Sequence, residues 1–412
     1  MQQPEQSAGP SNRSPLAAAA PIALAAMFLL CGYEAVRSTA NTLFKAAYGA
    51  EALPYVMMLM PLGVIGMLYG YGRLLSRLGP RRTLLATSLL SGLGIGACFL
   101  AIQAGSKAAT GALYILREAY IVLLIEQYWS FLNSRLGVAV AKRLNGPIAG
   151  LASLGAIAGG SLVYHYSARF GAASMLLLGA GCTIPAALCS EAAYALCGEP
   201  RRAPTEAPAP RDHLGVSLFR ANRTLVFLLL IVVATQVLST VLELSFQGLL
   251  QKEIPSVDAQ NAYSGRFFAQ LNAAAALSQF VLAPLLLRFV PMLAVHLAIP
   301  LANMAACVYL SAQPSLASAQ WAYLTFKTLD YSVFRAAKEV LYIPLSFDVR
   351  FRAKEVIDVF GYRFGKGWTS ALVALSQRAG AVFTPSLFGA IAAATAAVWA
   401  ALVWPVLKKY DK

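Results

Sequence analysis

Twelve apolar runs of about 20 residues each, separated by short polar segments, leave this chain few possible folds. A helix needs about 20 apolar residues to cross a bilayer core, and the runs fall at about 17–42, 54–75, 83–104, 109–134, 145–166, 172–197, 223–249, 262–287, 292–312, 316–343, 355–377 and 379–406. Residues are 58% hydrophobic and only 12% charged, with a mean hydropathy of +0.62. Soluble domains carry about 25% charged residues, so the expected class is an all-α membrane protein of twelve transmembrane helices. Only helices or closed barrels satisfy the backbone in lipid, and uninterrupted runs of this length specify helices.

The clearest break is GEPRRAPTEAPAPRDHLGVSLFRAN, residues 198–222, rich in proline and charge. It parts a six-helix bundle over 17–197 from a second over 223–406. Residues 1–16 are polar and rich in Pro, Gly and Ser, the composition of a disordered tail, and 407–412 form a short basic tail. No small-residue cleavage site follows the first apolar run, so it is expected to be retained as a span. Six spans, a polar linker and six more is the plan of the major facilitator carriers, whose pseudo-symmetric halves rock about a central site.

The net charge of +15 is distributed as a membrane orientation signal and does not mark nucleic-acid binding. Arg73, Arg77, Arg81 and Arg82, then Arg135, Lys142 and Arg143, then Arg201, Arg202 and Arg211, then Arg350, Arg352 and Lys354 all fall in alternate loops. Opposite loops are expected to hold only Lys45, Lys107, Arg169, Lys252 and Arg266. By the positive-inside rule both termini are cytoplasmic, with a bacterial inner membrane as the expected site. The lipid bilayer is thus the first expected partner.

Charges also sit inside the spans. Burying one at mid-membrane costs about 2.5–3.5 kcal/mol on insertion scales. Span 1 carries Glu34 and Arg37, three apart and able to pair on one helix face. Span 4 carries Arg117, Glu118 and Glu126, and span 7 carries Glu243. Spans 10 and 11 carry the densest set: Lys327, Asp330, Arg335, Lys338 and Glu339, then Asp358, Arg363 and Lys366. This excess of cations suits an aqueous path for an anionic solute. The bland reading is mutual neutralisation between helices. Tyr128, Trp129, Phe246 and Tyr331 stand beside these charges, where a planar base can stack while its phosphates meet Arg or Lys.

Motifs for soluble chemistry are missing. There is no GxxxxGK[ST], HExxH or GxSxG, so no hydrolysis, no enzymatic activity and no cofactor are expected. Six cysteines lie mostly in apolar runs without a CxxC, and three histidines are scattered; packing is the expected role, with no metal.

The charged segment carries a resemblance. KEVLYIPLSFDVRFRAKEVIDVFGYRFGKGW, Lys338 to Trp368, is similar to the signature of the bacterial and plastid ATP/ADP translocases through Lys338, Glu339, Tyr342, Ile343, Pro344, Leu345, Lys354, Ile357, Asp358, Val359, Gly361, Gly365 and Lys366. Upstream, Lys327 and YSVF (Tyr331 to Phe334) continue it. Trp129, Phe131, Asn133, Ala141, Lys142 and Arg143 resemble a second family segment, VLELSFQGLLQK places Glu243 on a third, and VRSTANTLF matches through Arg37 and Thr39. Departures fall at Ala40, where the family has Lys, and at Ser38, where it has Asp. GYGRLLSRLGPRRTLL (Gly70 to Leu85) resembles the facilitator loop that clamps helix ends through charge pairs, with Ser76 in place of its Asp.

The resemblance implies a divergent, major facilitator-like nucleotide transporter that exchanges ATP and ADP by alternating access. It implies that Arg37, Lys327, Arg363 and Lys366 attract the phosphates and that Glu118 and Glu243 couple the gate. Glu34, Asp358, Arg73 and Arg77 take structural or gating roles. Two other readings stay open: a carrier for another organic anion or proton-coupled metabolite, and a non-transporting membrane sensor or scaffold.

Overall fold

The computed structural model describes residues 15–136, 138–199, 223–342, 357 and 361–407. The 1–14 tail, nearly all of the linker, the loop after span 10, Asp358 and the 408–412 tail therefore lie outside the described residues. Among the described residues there is no strand. The described residues form twelve crossings: α1 (Pro15–Tyr48), α2 (60–78), α3 (80–103), α4 (Lys107–Arg135), α5 (Val138–Phe170), α6 (Met175–Cys197), α7 (Arg223–Glu253), α8 (Val257–Phe289), α9 (Met292–Ala312), α10 (316–342), α11 (Tyr362–Arg378) and α12 (Pro385–Leu407).

Nine continuous helical stretches among the described residues are long and apolar enough to span a membrane. One of them, Met60–Gln103, holds both α2 and α3, which are parted only at Gly79. There φ is +75°, a left-handed conformation that L side chains disfavour, and Pro80 restarts the helix. The two helices outside the nine are α10, whose charged and polar residues lower its hydropathy, and α11, whose described part is 17 residues long.

The first six helices pack around α1, which touches α4, α5 and α6, while α3 packs on α4 and α6. In the second half α7 touches α10, α11 and α12, and α9 packs on α10 and α12. Trp399 of α12 is almost fully buried and meets Phe334 of α10 edge-on at 5.0 Å. Lys45, expected in a loop, is instead inside α1 and 1% exposed. The helix runs six residues past the expected end, to Tyr48, which carries the lysine into the bundle.

The halves meet through α5 against α8, and through the short helix Leu53–Met57 and the start of α2 against α11. Gly160 and Gly265 bring the α5 and α8 backbones together so closely that a Cβ on Gly160 would lie 2.7 Å from the Gly265 carbonyl oxygen. Small residues permit this approach in membranes. At the end where α1 and α7 finish, polar bonds add to the seal. Lys45 Nζ donates to the Gln247 carbonyl at 3.4 Å and Gln251 Nε2 to the Lys45 carbonyl at 2.9 Å. Asn261 Nδ2 donates to Thr39 Oγ1 at 3.2 Å and to Ser167 Oγ at 3.0 Å. Asp258 Oδ1 accepts from the Ala172 amide at 2.6 Å. Toward the other end, α4 exposes Glu126, Ser130 and Asn133 and α10 exposes Arg335 and Glu339. The two halves are therefore joined by close packing and polar bonds at the end where α1 and α7 finish.

Candidate functional site

The charged residues converge at the middle of the bundle. On α1, Glu34 and Arg37 share a helix face, and Arg37 Nη1 lies 3.5 Å from Glu34 Oε1. Asn272 of α8 donates to the same carboxylate oxygen at 3.0 Å, and the Arg37 guanidinium sits 3.9 Å from the Phe268 ring centre. The second half thus holds a first-half ion pair from across the interface. Arginine suits this position because its guanidinium stacks on a ring while keeping donors free for an oxyanion.

Arg117 of α4 reinforces the arrangement. Its Nη1 donates to the Arg37 carbonyl at 3.0 Å and to Asn41 Oδ1 at 2.8 Å. Its guanidinium covers the Tyr114 ring at 3.8 Å, and its Nη2 lies 3.5 Å from Glu118. At 1% exposure it is among the largest fully buried side chains.

The second half contributes Glu243, 4% exposed, whose Oε2 meets Lys366 Nζ of α11 at 3.0 Å. Glycines flank Lys366 on both sides. A Cβ on Gly365 would meet Gln236 Cβ at 2.9 Å, so α11 lies close on α7, which puts Lys366 within reach of Glu243. Lys327 of α10 is 8% exposed and has no carboxylate partner among the described residues. Its ammonium lies 5.1 Å from the Tyr331 ring centre, 5.6 Å from Phe326 and 5.8 Å from Tyr323. Tyr323 in turn stacks on Phe267 at 5.5 Å and 12°.

Four cations, Arg37, Arg117, Lys327 and Lys366, therefore lie near the carboxylates Glu34, Glu118 and Glu243, with Asp330 one turn from Lys327. All four cations act electrostatically on Glu243, and Lys366 and Arg117 act on Glu118. Cations beside tyrosines suit an anion that carries a planar group. Among the described residues no His/Cys/Asp/Glu group could hold a metal. An apolar cleft of about 540 Å³ also opens between α2, α7 and α11, lined by Met58, Pro61, Leu229, Phe364 and Trp368. It includes none of the clustered charges.

Of the residues singled out in the sequence, Glu34, Arg37, Glu118, Glu243, Lys327 and Lys366 come together. The backbone of Arg363 lies in the first turn of α11, but its side chain and all of Asp358 fall outside the described residues. Arg73 and Arg77 are exposed at the end of α2, and among the described residues Arg73 bonds to Tyr69 of its own helix, at 2.6 Å. Arg81 makes the ion pair across this loop, its Nε 2.7 Å from Glu191 Oε1 on α6. Tyr128 and Phe246 are buried in packing, Phe246 against Phe267 at 4.5 Å. Sequence reading assigned no role to Arg117, Asn41 or Asn272. Asn41, one turn after Arg37, was the readable signal.

Residues 315–410, which carry Lys327 and Lys366, match the family described as TLC ATP/ADP transporter. That match spans about a quarter of the chain, which is thus similar to the family over its last three helices. No curated protein matches it. Among solved structures, the nucleoside transporter NupG aligns with a TM-score of 0.71 at 12% identity, covering 94% of this chain and 98% of that one. A bacterial homologue of the iron transporter ferroportin, in an inward-facing state, aligns at 0.69 and 12% identity over 96% and 99%. An auto-inhibited POT family peptide transporter aligns at 0.66 and 14% over 95% and 97%. Likenesses at this identity show the fold alone, an all-α arrangement of the major facilitator kind.

Proposed function

We propose that this ATP/ADP transporter relative exchanges nucleotides of the ATP/ADP type across a bacterial inner membrane by alternating access, without hydrolysis, with both termini in the cytoplasm. The observation that carries the reading is the central cluster of cations built by both halves, of which Lys327 and Lys366 lie in the segment that matches the family. In the empty carrier Glu243 holds Lys366. An entering phosphate competes for Lys366 and meets Lys327 and Arg37, while the base finds Tyr323 or Tyr331. The freed Glu243 then carries an unneutralised charge in a low-dielectric site, which favours rearrangement of the α7–α11 contact. Because Arg37 belongs to the first half and Lys327 and Lys366 to the second, one polyphosphate bridges the halves. A bridge of that kind supplies the differential binding energy that a rocking motion requires.

Alanine at position 40 is fully buried, so α1 presents no second cation there, and Arg117 supplies positive charge beside Asn41 instead. Radiolabelled ATP uptake into liposomes loaded with ADP tests the function. Uptake no faster than into empty liposomes would sink it, and a panel of nucleotides and organic anions would then identify the solute.

A further inference from the structure

Away from the central cluster, a small polar pocket of about 140 Å³ opens on the membrane-facing side of the second half, between α8 and α10. Tyr263, Arg266, Phe267, Gln270 and Gln320 line it. Tyr263, Arg266 and Gln270 recur at spacings of three and four, so they share one face of α8. Phe267, Phe268 and Leu271 of that helix are buried, whereas Arg266 and Gln270 are exposed. Tyr263 Oη donates to Gln320 Oε1 of α10, and Gln320 Nε2 lies 3.5 Å from Gln270 Oε1. Exposed Trp321 follows Gln320, and the exposed Tyr164 of α5 has its ring centre 6.0 Å from the Arg266 guanidinium.

Arg266 is the unusual member. Arg37, Arg81 and Arg117 each hold a glutamate, but Arg266 forms no ion pair among the described residues. It lies inside the apolar stretch Val257–Phe289, roughly 14 Å along the axis from the start of α8 at 1.5 Å per residue. From there an arginine can raise its guanidinium to the headgroup level of the bilayer. Snorkelling alone would need no company, yet Gln270 stands one turn deeper and Gln320 faces it from α10. A carboxylate completes the set on the outward side. Glu253 Oε1 accepts from the Leu316 amide at 2.8 Å, one turn before Gln320 on α10. Glu253 and Arg266 both act electrostatically on Tyr263.

We propose that this pocket binds the headgroup of a zwitterionic aminophospholipid. The phosphate sits at Arg266, with the Gln270 and Gln320 side-chain amides as further donors, and the primary ammonium reaches outward to Glu253. The order of charges matches the lipid, whose phosphate lies nearer the acyl chains than its amine does. Below the pocket the chains meet apolar surface, including Leu277, exposed and two turns deeper than Gln270 on α8. The volume fits a headgroup and not a whole solute, since small-molecule sites enclose about 300–1,000 Å³. A headgroup with net negative charge is disfavoured by Glu253, and a quaternary ammonium has no N–H to give it. The site goes beyond the transport reading and is independent of which solute is carried.

Native mass spectrometry of the purified full-length protein in detergent tests the site, with phosphatidylethanolamine, phosphatidylcholine and phosphatidylglycerol titrated separately. The wild type should retain one phosphatidylethanolamine about tenfold more tightly than either other lipid, the effect of one charge-assisted hydrogen bond. Arg266→Gln should weaken that binding by about tenfold or more. Arg288→Gln, which removes an exposed cation from the other end of α8, should leave it unchanged. Glu253→Gln keeps an oxygen for the Leu316 amide and should erase the preference over phosphatidylcholine. Equal retention of the three lipids by the wild type, or equal loss in Arg266→Gln and Arg288→Gln, means annular lipid only and overturns the proposal. A preference that survives in Glu253→Gln overturns it as well. If Arg266→Gln does not fold, the wild-type selectivity and the Glu253→Gln variant decide alone.

Discussion

Lys366 of α11 and Glu243 of α7 meet at 3.0 Å in the interior of the second half, the shortest cation–carboxylate contact of the central cluster. Lys366 remains 20% exposed at its side chain while Glu243 is 6% exposed. The lysine is therefore the partner that an entering anion can reach.

Removing one member should cost stability and transport together. Lys366→Met leaves a buried carboxylate and is expected to destabilise the protein by about 3 kcal/mol, the low end for a broken buried pair given the lysine's partial exposure. The double variant Glu243→Gln/Lys366→Met should recover most of that stability but none of the exchange. Thermal unfolding in detergent, paired with liposome exchange, reads both. Unchanged exchange in Lys366→Met would remove the pair from the site.

Arg117 has a different expected signature. Its guanidinium bonds the Arg37 carbonyl and Asn41 together, a fork that lysine cannot reproduce. Arg117→Lys should raise KM for exchange about tenfold, or ~1.4 kcal/mol, with little change in kcat. Asn41→Ala should do the same, and the double variant should fall short of the sum because the two share one contact.

The twelve crossings were legible because apolar runs of bilayer length leave the backbone no other option. Span 10 and span 11 were legible for the opposite reason, since costly charges there had to face polar surroundings. What the sequence withheld was partnership. Nothing local to Glu243 identifies Lys366, and nothing near Glu34 identifies Asn272, because those contacts depend on how helices pack. Lys45 reads as a loop residue because its run ends in mixed small and polar residues, yet α1 continues through it to Tyr48. The loop after α2 is rich in arginine, and only the turn at Gly79 decides that Arg81, not Arg73 or Arg77, faces Glu191.

That loop gives a graded expectation. The Arg81–Glu191 pair joins α3 to α6 within the first half and is partly exposed, so Arg81→Ala should cost less than about 1 kcal/mol. Arg73→Ala should cost less still, since its bond stays within α2. Thermal shifts in low and high salt separate the two, because only the ion pair should weaken as salt rises.

The joint at the end where α1 and α7 finish depends on Gly160 and Gly265. A Cβ on Gly265 would lie 2.7 Å from both the Gly160 carbonyl and Val163, so Gly265→Val should hold the two halves apart there. A cysteine placed at Thr42, now buried, should then react faster with a membrane-impermeant thiol reagent than in the Gly265 background. Equal labelling rates would show that the α5–α8 contact does not control this end.

Exchange of ATP for ADP moves about one net charge, worth roughly 2.3 kcal/mol per 100 mV. The most direct measurement is therefore ATP uptake into ADP-loaded proteoliposomes under an imposed potassium-diffusion potential. Uptake should exceed that of empty liposomes, should rise when the interior is made positive, and should vanish in Lys366→Met. Uptake equal to that of empty liposomes, or unaffected by loss of Lys366, would contradict nucleotide exchange through this cluster.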